Sequence, residues 1–441
     1  MQGFRECLRG FVGDKYWGTY PIFYLLLSLQ RRGWKIGASF EQELTQGFIH
    51  LSAERAIIMG SGDINQSSGA FAQSDGGTTD HVEAGLRVGV VGCGYWGSKH
   101  LRVLQSLDGV SAVVAIDPDP SRVASLRRSL SLDGNFASLE DALPHVDAVI
   151  VATPPSTHVE LGVQAMQAGK HVLIEKPLAT STEGALQLVE VARNTGMTLM
   201  VGHTFEYNSA VWTMRDLIRS GSLGKLYYVD SARLNLGLYQ GNVNVICDLA
   251  PHDISILNYL LEDQPTAVEV WGSRHAHNKL EDVAYLRLQY EGRSVEANIH
   301  VSWLDPKKVR RLTAVGSQKM AVYNDLETEE RIRVHDKGVM FSPSSMSDDD
   351  QSQLPMTYRY GDITAPYVDF REPLSVEDGH FISCIRTGET PVTDGLNGLA
   401  VCRVLDAAQA SLREHRAILM DEIPGADVAD RALTLAAPSV A

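Results

Sequence analysis

The feature that most restricts the fold is a glycine-rich turn set between a short apolar run and a helix-like segment. Leu86–Val91 leads into Gly92-Cys93-Gly94-Tyr95-Trp96-Gly97, and Ser98–Leu107 follows. G-x-G-x-x-G alone arises in many loops, but here it occupies the first strand-turn-helix of an alternating region. Further apolar runs, Ala112–Ile116, Ala148–Ala152, His171–Ile174 and Thr198–Val201, alternate with helix-like Ser121–Leu130, Thr157–Ala168 and Thr182–Asn194. Short continuous apolar runs are the pattern of strands buried on both faces, and their alternation with helices predicts an α/β fold with a doubly wound parallel sheet. Thr180-Ser181-Thr182-Glu183 has the T-x-x-E form of a capping box, which predicts a helix start there.

After about Thr204 the rhythm changes. A helical stretch, Ala210–Ser220, precedes β-like segments Lys225–Leu236, Thr266–Trp271, Val283–Tyr290, Ser294–Trp303, Arg311–Val315 and Lys319–Tyr323. Few helices separate them, so the expectation is an α+β domain whose largely antiparallel open sheet packs one face on helices or on another subunit. Ser342–Gln353, with Asp348-Asp349-Asp350, reads as a solvated loop, and helical Ser375–Arg386 and Gly395–His415 close the domain. The expected boundaries are an extension and flexible linker over 1–86, a dinucleotide-binding Rossmann domain over 87–203, a substrate-binding and oligomerisation domain over 204–420, and a tail over 421–441. Ser61–Gly85 is rich in Gly, Ser and Asp, as linkers are. The extension reads as an appended module, an interfacial anchor, or a stretch upstream of the true start, and no function is assigned to it.

Composition narrows the partners. A formal net charge of −15 over 441 residues, with no Lys/Arg-rich block, predicts no nucleic-acid partner and no anionic membrane surface. Tyr16–Leu29 is apolar but interrupted by Gly18 and Pro21, and is shorter than the roughly 20 residues that span a bilayer. No small-x-small cleavage pattern follows it, so no export signal is read. Cys7, Cys93, Cys247, Cys384 and Cys402 are scattered without CxxC spacing, which fits a reducing, cytoplasmic compartment rather than a disulfide framework or a zinc ribbon.

The glycine turn carries the cofactor expectation. Gly92 permits the tight turn, Gly94 lets the backbone approach a pyrophosphate, and Gly97 lets helix and strand pack closely. The helix N-terminus offers free N–H groups and partial positive charge to phosphates. Asp117 ends the second strand 20 positions after Gly97, where its carboxylate can accept both ribose hydroxyls and repel a 2′-phosphate. NAD is therefore the expected cofactor, with NADP left open by Arg122 a turn further on.

Two constellations carry candidate chemistry. His171–Ile174 runs into Glu175-Lys176-Pro177, and ligands of open α/β sheets lie beyond the carboxyl ends of strands. An ammonium there can steady negative charge as it develops on a reacting oxygen; an ordinary surface lysine before a turn fits the spacing as well. Pro177 can adopt the cis form. In Asp248-Leu249-Ala250-Pro251-His252, a histidine can take or give a hydroxyl proton near neutral pH. If a helix begins there, Asp248 and His252 share a face, Pro251 sits in its first turn, and Asp248 can orient the imidazole or hold a substrate hydroxyl. On spacing alone a capping aspartate with a partly buried histidine is the simpler reading.

Taken in order, Gly92–Gly97, Glu175-Lys176-Pro177 and Asp248-x-x-x-His252 make the chain resemble the Gfo/Idh/MocA family of sugar, inositol and sugar-nucleotide oxidoreductases, over roughly Arg87 to Arg413. The likeness extends to Thr153-Pro154-Pro155 with His158, to Gly202–Asn208 and to Glu372-Pro373-Leu374. It implies that Lys176, Asp248 and His252 are catalytic, with His252 transferring the proton. It also implies that Thr153, Pro154, His158 and Glu175 join Tyr95 and Trp96 of the glycine turn on the cofactor side. Tyr207, Asn208 and Arg233 are candidate substrate contacts, although Arg233 and Asn235 read equally as solvent-facing. The family's second domain implies a homodimer or homotetramer, and its chemistry implies a small sugar-like substrate. Two departures stand out: Val245-Ile246-Cys247 replaces the Gly-Gly pair that often precedes D-x-x-x-H, and the family does not account for the extension.

No metal is expected. His275-Ala276-His277 has metal-like spacing without a placed carboxylate or cysteine, and reads as an exposed strand end. Cys93 reads as a packing residue. Two rivals to a dehydrogenase remain: a glycosidase that transiently oxidises its substrate with tightly held NAD, and a non-catalytic NAD-binding regulator.

Overall fold

The computed structural model describes residues 85–241, 243–276, 278–341 and 356–426. The expectations for the extension up to residue 84, for Ser342–Gln353, for His277 and for the tail beyond 426 lie outside the described residues. The first layer is a six-stranded parallel sheet of β1 (Leu86–Val91), β2 (Val110–Ile116), β3 (Gly134–Phe136), β4 (Ala148–Val151), β5 (His171–Glu175) and β6 (Leu199–Gly202). Their spatial order is 3-2-1-4-5-6, so the direction of winding reverses between β1 and β4. The connecting helices are α1 (Tyr95–Leu104), α2 (Pro120–Leu126), α3 (Leu139–Ala142), α4 (His158–Gln167) and α5 (Thr182–Thr195). One apolar cluster, including Val149, Val151, Val172, Ile174 and Leu188, fills one face of the sheet, and a second, including Val88, Val90, Leu101 and Ile150, fills the other. The start of α5 differs from the capping-box expectation by one position. Ser181 is the cap, accepting the N–H of Gly184, while the Thr182 N–H goes to Asp406.

The second layer holds β7 (Leu226–Leu236), β8 (Ala267–Ser273), β9 (Val283–Tyr290), β10 (Val295–Ser302), β11 (Leu304–Gly316), β12 (Met320–Asn324), β13 (Ile332–Phe341), β14 (Met356–Thr364) and β15 (Ile418–Leu419). Their order is 14-13-12-11-7-10-9-8-15, and all neighbours are antiparallel except β7 and β10, which run parallel with Tyr228 opposite Glu296. The sheet is therefore mixed at one pair. Strand β9 alternates as a half-buried strand should, with Ala284, Leu286, Leu288 and Tyr290 inward and Tyr285 and Arg287 outward. The inward face packs on α6 (Ser209–Arg219), α7 (Val245–Leu261) and α9 (Gly395–Glu414), where Ile246, Ala250, Ile254, Leu257 and Leu261 recur at helical spacing.

The last two helices return to the first sheet. Helix α8 (Pro373–Thr387) sets Asp378 against His100 of α1, and α9 buries Leu399 and Cys402 in the cluster beneath β5 and β6. No helix among the described residues is long and apolar enough to cross a membrane.

Candidate active site

The glycine turn closes because its residues are glycine. Gly92 has φ +90°, and a Cβ there would meet the Ala152 carbonyl oxygen at 2.7 Å and Thr153 Cγ2 at 2.9 Å. A Cβ on Gly97 would lie 1.7 Å from the Gly92 carbonyl oxygen, whereas Gly94 faces open space. Helix α1 then starts on Gly94 with no side-chain cap, so its leading N–H groups are presented at the carboxyl edge of the sheet, where strand order reverses. The Asp117 carboxylate is buried beside this turn and accepts the N–H groups of Cys93 (2.8 Å) and Asp119 (2.9 Å), with an Arg122 guanidinium nitrogen 3.7 Å away. An uncapped helix start, a glycine with space before it and a carboxylate at the end of β2 form a cradle that fits a dinucleotide. Tyr95 and Trp96 stand exposed at its mouth, packed edge to face on each other. Burial pushes the Cys93 thiol up to about 11, with Asp117 adding to it, so Cys93 is a packing residue.

Thr153 borders the glycine turn through its methyl group. His158 opens α4. It is fully buried, with its ring nitrogens 2.9 Å from the carbonyl oxygens of Thr153 and Pro177, and so ties the end of β4 to the turn after β5.

That turn carries Lys176, followed by a cis bond to Pro177. The Lys176 N–H donates to Glu175 Oε2 (3.1 Å), and its half-buried ammonium donates to the Asp248 carbonyl oxygen on α7 (3.1 Å). Residues 176 and 248 are thus brought together from separate layers. Helix α7 begins earlier than expected, capped by Asn244, which accepts the Cys247 N–H, so Pro251 lies in the helix interior rather than its first turn. Asp248 does not orient His252. Its carboxylate accepts the indole N–H of buried Trp303 at 2.9 Å. His252 instead packs edge to face on Phe205 (5.1 Å between centroids), and its ring nitrogens have no hydrogen-bond partner among the described residues. Burial pushes the imidazole well below its ordinary pKa, and Lys176, Arg233, Arg310 and His203 push the same way. His252 is therefore neutral at pH 7. The Lys176 ammonium is lowered from the ordinary lysine value, chiefly by burial, which the charges of Asp248 and Glu175 only partly offset.

Three expected substrate contacts are engaged inside the fold. Tyr207 is buried, its hydroxyl 3.0 Å from that of Thr393. Asn208 caps α6 by accepting the Ala210 N–H and donates to the Tyr323 hydroxyl (3.2 Å). Arg233 is not solvent-facing: it pairs with Asp253 at 2.7 Å on one side and lies over the Phe205 ring at 4.6 Å on the other. A hydroxyl, an amide and a guanidinium that look free in sequence are spent on capping and pairing.

The sequence reading missed several groups around this centre. Phe205 is the hub on which His252, Arg233 and Arg310 converge, and Trp303 holds Asp248. Buried His100 spans Glu175 (3.2 Å) and Asp378 (2.9 Å). Of Phe205, Arg310, Trp303, His100 and Asp378, only Phe205, inside Gly202–Asn208, lay in a segment tied to the site by the family likeness.

Comparison with known proteins agrees with this architecture. Residues 86–203 match the model described as oxidoreductase family, NAD-binding Rossmann fold, and residues 211–322 match the GFO/IDH/MocA C-terminal domain. The chain is 23% identical over 353 residues to myo-inositol 2-dehydrogenase of Thermotoga maritima, covering 77% of this chain and 100% of that protein. It is 31% identical over 229 residues to inositol 2-dehydrogenase 2 of Saccharopolyspora erythraea, covering 49% and 67%. The solved structure of UDP-N-acetylglucosamine 3-dehydrogenase from Acidithiobacillus ferrooxidans shares the fold, with a TM-score of 0.60 and 23% identity over 75% of this chain and 98% of that one.

Proposed function

The chain belongs to the Gfo/Idh/MocA oxidoreductase family, and from that premise we propose that it is a cytoplasmic enzyme that oxidises one carbinol carbon of a sugar, polyol or sugar nucleotide with NAD. When bound, the nicotinamide ring supplies the hydride acceptor, or the donor in the reverse direction. Gly92, Gly94, Gly97 and the start of α1 would hold its pyrophosphate, and Asp117 its adenosine ribose. Tyr95, Trp96, Thr153, Pro154, Glu175 and Lys176 would border the rest.

His252, neutral at pH 7, takes the hydroxyl proton of the carbinol as the C–H bond breaks. The Lys176 ammonium, aimed from the strand end toward α7, steadies the oxygen as it gains negative charge. Asp248, fixed by Trp303, leaves its second carboxylate oxygen to a neighbouring substrate hydroxyl. The observation that carries the reading is the lysine–helix contact: an ammonium from one layer meets the helix of the other, whose His252 imidazole has no hydrogen-bond partner among the described residues.

The experiment is a panel of inositols, sugars and nucleotide sugars with NAD or NADP, following the absorbance of reduced cofactor. Net reduction with a polyol or sugar is expected. Cleavage of a glycoside without net reduction would replace this reading with the glycosidase, and NAD binding without any turnover would replace it with the regulator.

The outer face of the second sheet supports a homodimer or homotetramer. Trp271, Tyr285 and His300 lie in line across β8, β9 and β10, the first pair tilted at 5.7 Å and the second stacked at 4.0 Å between centroids, and Trp271 and Tyr285 are exposed. An exposed aromatic row of this kind marks a protein contact, and sedimentation of Tyr285→Glu as a smaller species than wild type is the expected result.

A further inference from the structure

Behind the Glu175-Lys176-Pro177 turn lie two charged side chains, His100 and Asp378, that the proposed chemistry leaves unused. His100 lies on the second turn of α1 and is fully buried. Its Nδ1 faces Asp378 of α8, at 2.9 and 3.1 Å from the two carboxylate oxygens, and its Nε2 faces Glu175 Oε1 at 3.2 Å. A neutral imidazole has one N–H and can donate to one of these groups; with a carboxylate before each nitrogen the ring carries both protons. The other oxygen of Glu175 accepts the backbone N–H of Lys176. The series is then Asp378 negative, His100 positive, Glu175 negative, Lys176 positive, running from α8 through α1 to the edge of the sheet.

We propose that His100 is a positioning residue for Lys176: held by Asp378, it keeps the Glu175 carboxylate turned onto the Lys176 N–H and so sets the direction in which residue 176 leaves β5. The proposal rests on the reading of Lys176 as a reacting group. Nearby groups fit it. Burial works against the imidazolium, but the charge and hydrogen bond of Asp378, joined by Glu175, outweigh it and hold His100 well above the ordinary histidine value. Glu377, the neighbouring carboxyl on α8, is pushed well above its ordinary value by burial and then by Glu175 and Asp378, and one of its oxygens accepts the Thr204 hydroxyl. The remaining charges at this interface, Arg102 of α1 and Glu372 before α8, pair with each other at the surface. No other charged group competes for the ring among the described residues.

The test uses the full chain with NAD and myo-inositol as probes. His100→Gln is expected to lose about 10²-fold in kcat, the cost of a misplacement near 1 Å, while its dissociation constant for NAD and KM for myo-inositol change less than about twofold. Asp378→Asn lowers the ring's pKa, because the larger of the two charges that raise it is gone and only Glu175 remains. Its kcat should fall, as pH rises, at a lower pH than in wild type, and Asp378→Glu should restore the wild-type profile. An unchanged kcat in His100→Gln, or loss of NAD binding in step with kcat, would overturn the proposal. If the variants do not fold, or if myo-inositol is not turned over, imidazole ¹⁵N resonances of wild-type protein at pH 8 decide it. Two protonated nitrogens on His100 support the proposal and one overturns it. Failure of the polyol panel alone would count against the substrate, not against this ring.

Discussion

Replacing Lys176 with methionine removes the ammonium while keeping most of the side chain's volume, and two separate effects follow. The first is on the rate. The ammonium is half-buried and donates to the Asp248 carbonyl oxygen at 3.1 Å, and its charge acts on the His252 imidazole. Losing one preorganised donor to a developing oxyanion costs roughly 10²–10³ in kcat, about 3–4 kcal/mol. The second effect is on pH dependence. The His252 imidazole is lowered by burial first and by the charge of Lys176 second. With that charge gone its pKa rises toward the ordinary 6.5. Oxidation needs the neutral ring, so activity is lost as pH falls through the His252 pKa, and the acid limb of kcat/KM should move to higher pH in Lys176→Met. The assay is the pH profile of NAD reduction with the best substrate of the panel, with melting temperature and NAD affinity as controls. A large fall in kcat with an unmoved acid limb would refute the electrostatic coupling of the two residues. An unchanged kcat would remove Lys176 from the chemistry.

Three further outcomes follow from the structure. Gly97→Ala places a methyl group where only 1.7 Å separates it from the Gly92 carbonyl oxygen, so NAD binding measured by fluorescence titration should be lost and the melting temperature should fall. Asp117→Ala removes the carboxylate beside Arg122, and the ratio of kcat/KM for NADP over NAD should rise by at least about tenfold; a ratio that stays put would show that residue 117 does not select the cofactor. Arg233→Met leaves Asp253 buried without its cation, which costs about 3–5 kcal/mol, and chemical denaturation should report a loss of that size.

Much of the fold was legible in the sequence because buried parallel strands declare themselves as short apolar runs, and five of the six strands of the first sheet were found that way. Strand β3 escaped because three residues, Gly134-Asn135-Phe136, carry no period. Strand β14 escaped for a different reason: at the edge of the second sheet it is exposed on both faces, so Met356–Thr364 has no inward-facing alternation to detect. The glycine turn was readable from local spacing, whereas Lys176 was favoured only by the family likeness, since an ordinary surface lysine fits the end of β5 as well. Residues joined across the chain were not readable. His100 and Asp378 are 278 positions apart, and Trp303 and Asp248 are 55 apart, so their pairing depends on the layers meeting. The partners of Tyr207, Asn208 and Arg233, which are Thr393, Tyr323 and Asp253, were equally hidden, because sequence shows a polar group without showing what it meets.

The claim on which the account depends is direct transfer of hydride from a substrate carbinol. The measurement is the fate of deuterium placed on that carbon of the best polyol or sugar in the panel, followed by NMR of the recovered cofactor. One deuterium per turnover on the reduced cofactor is the predicted result. Deuterium returned to the product or lost to water, with the cofactor still oxidised, would contradict it.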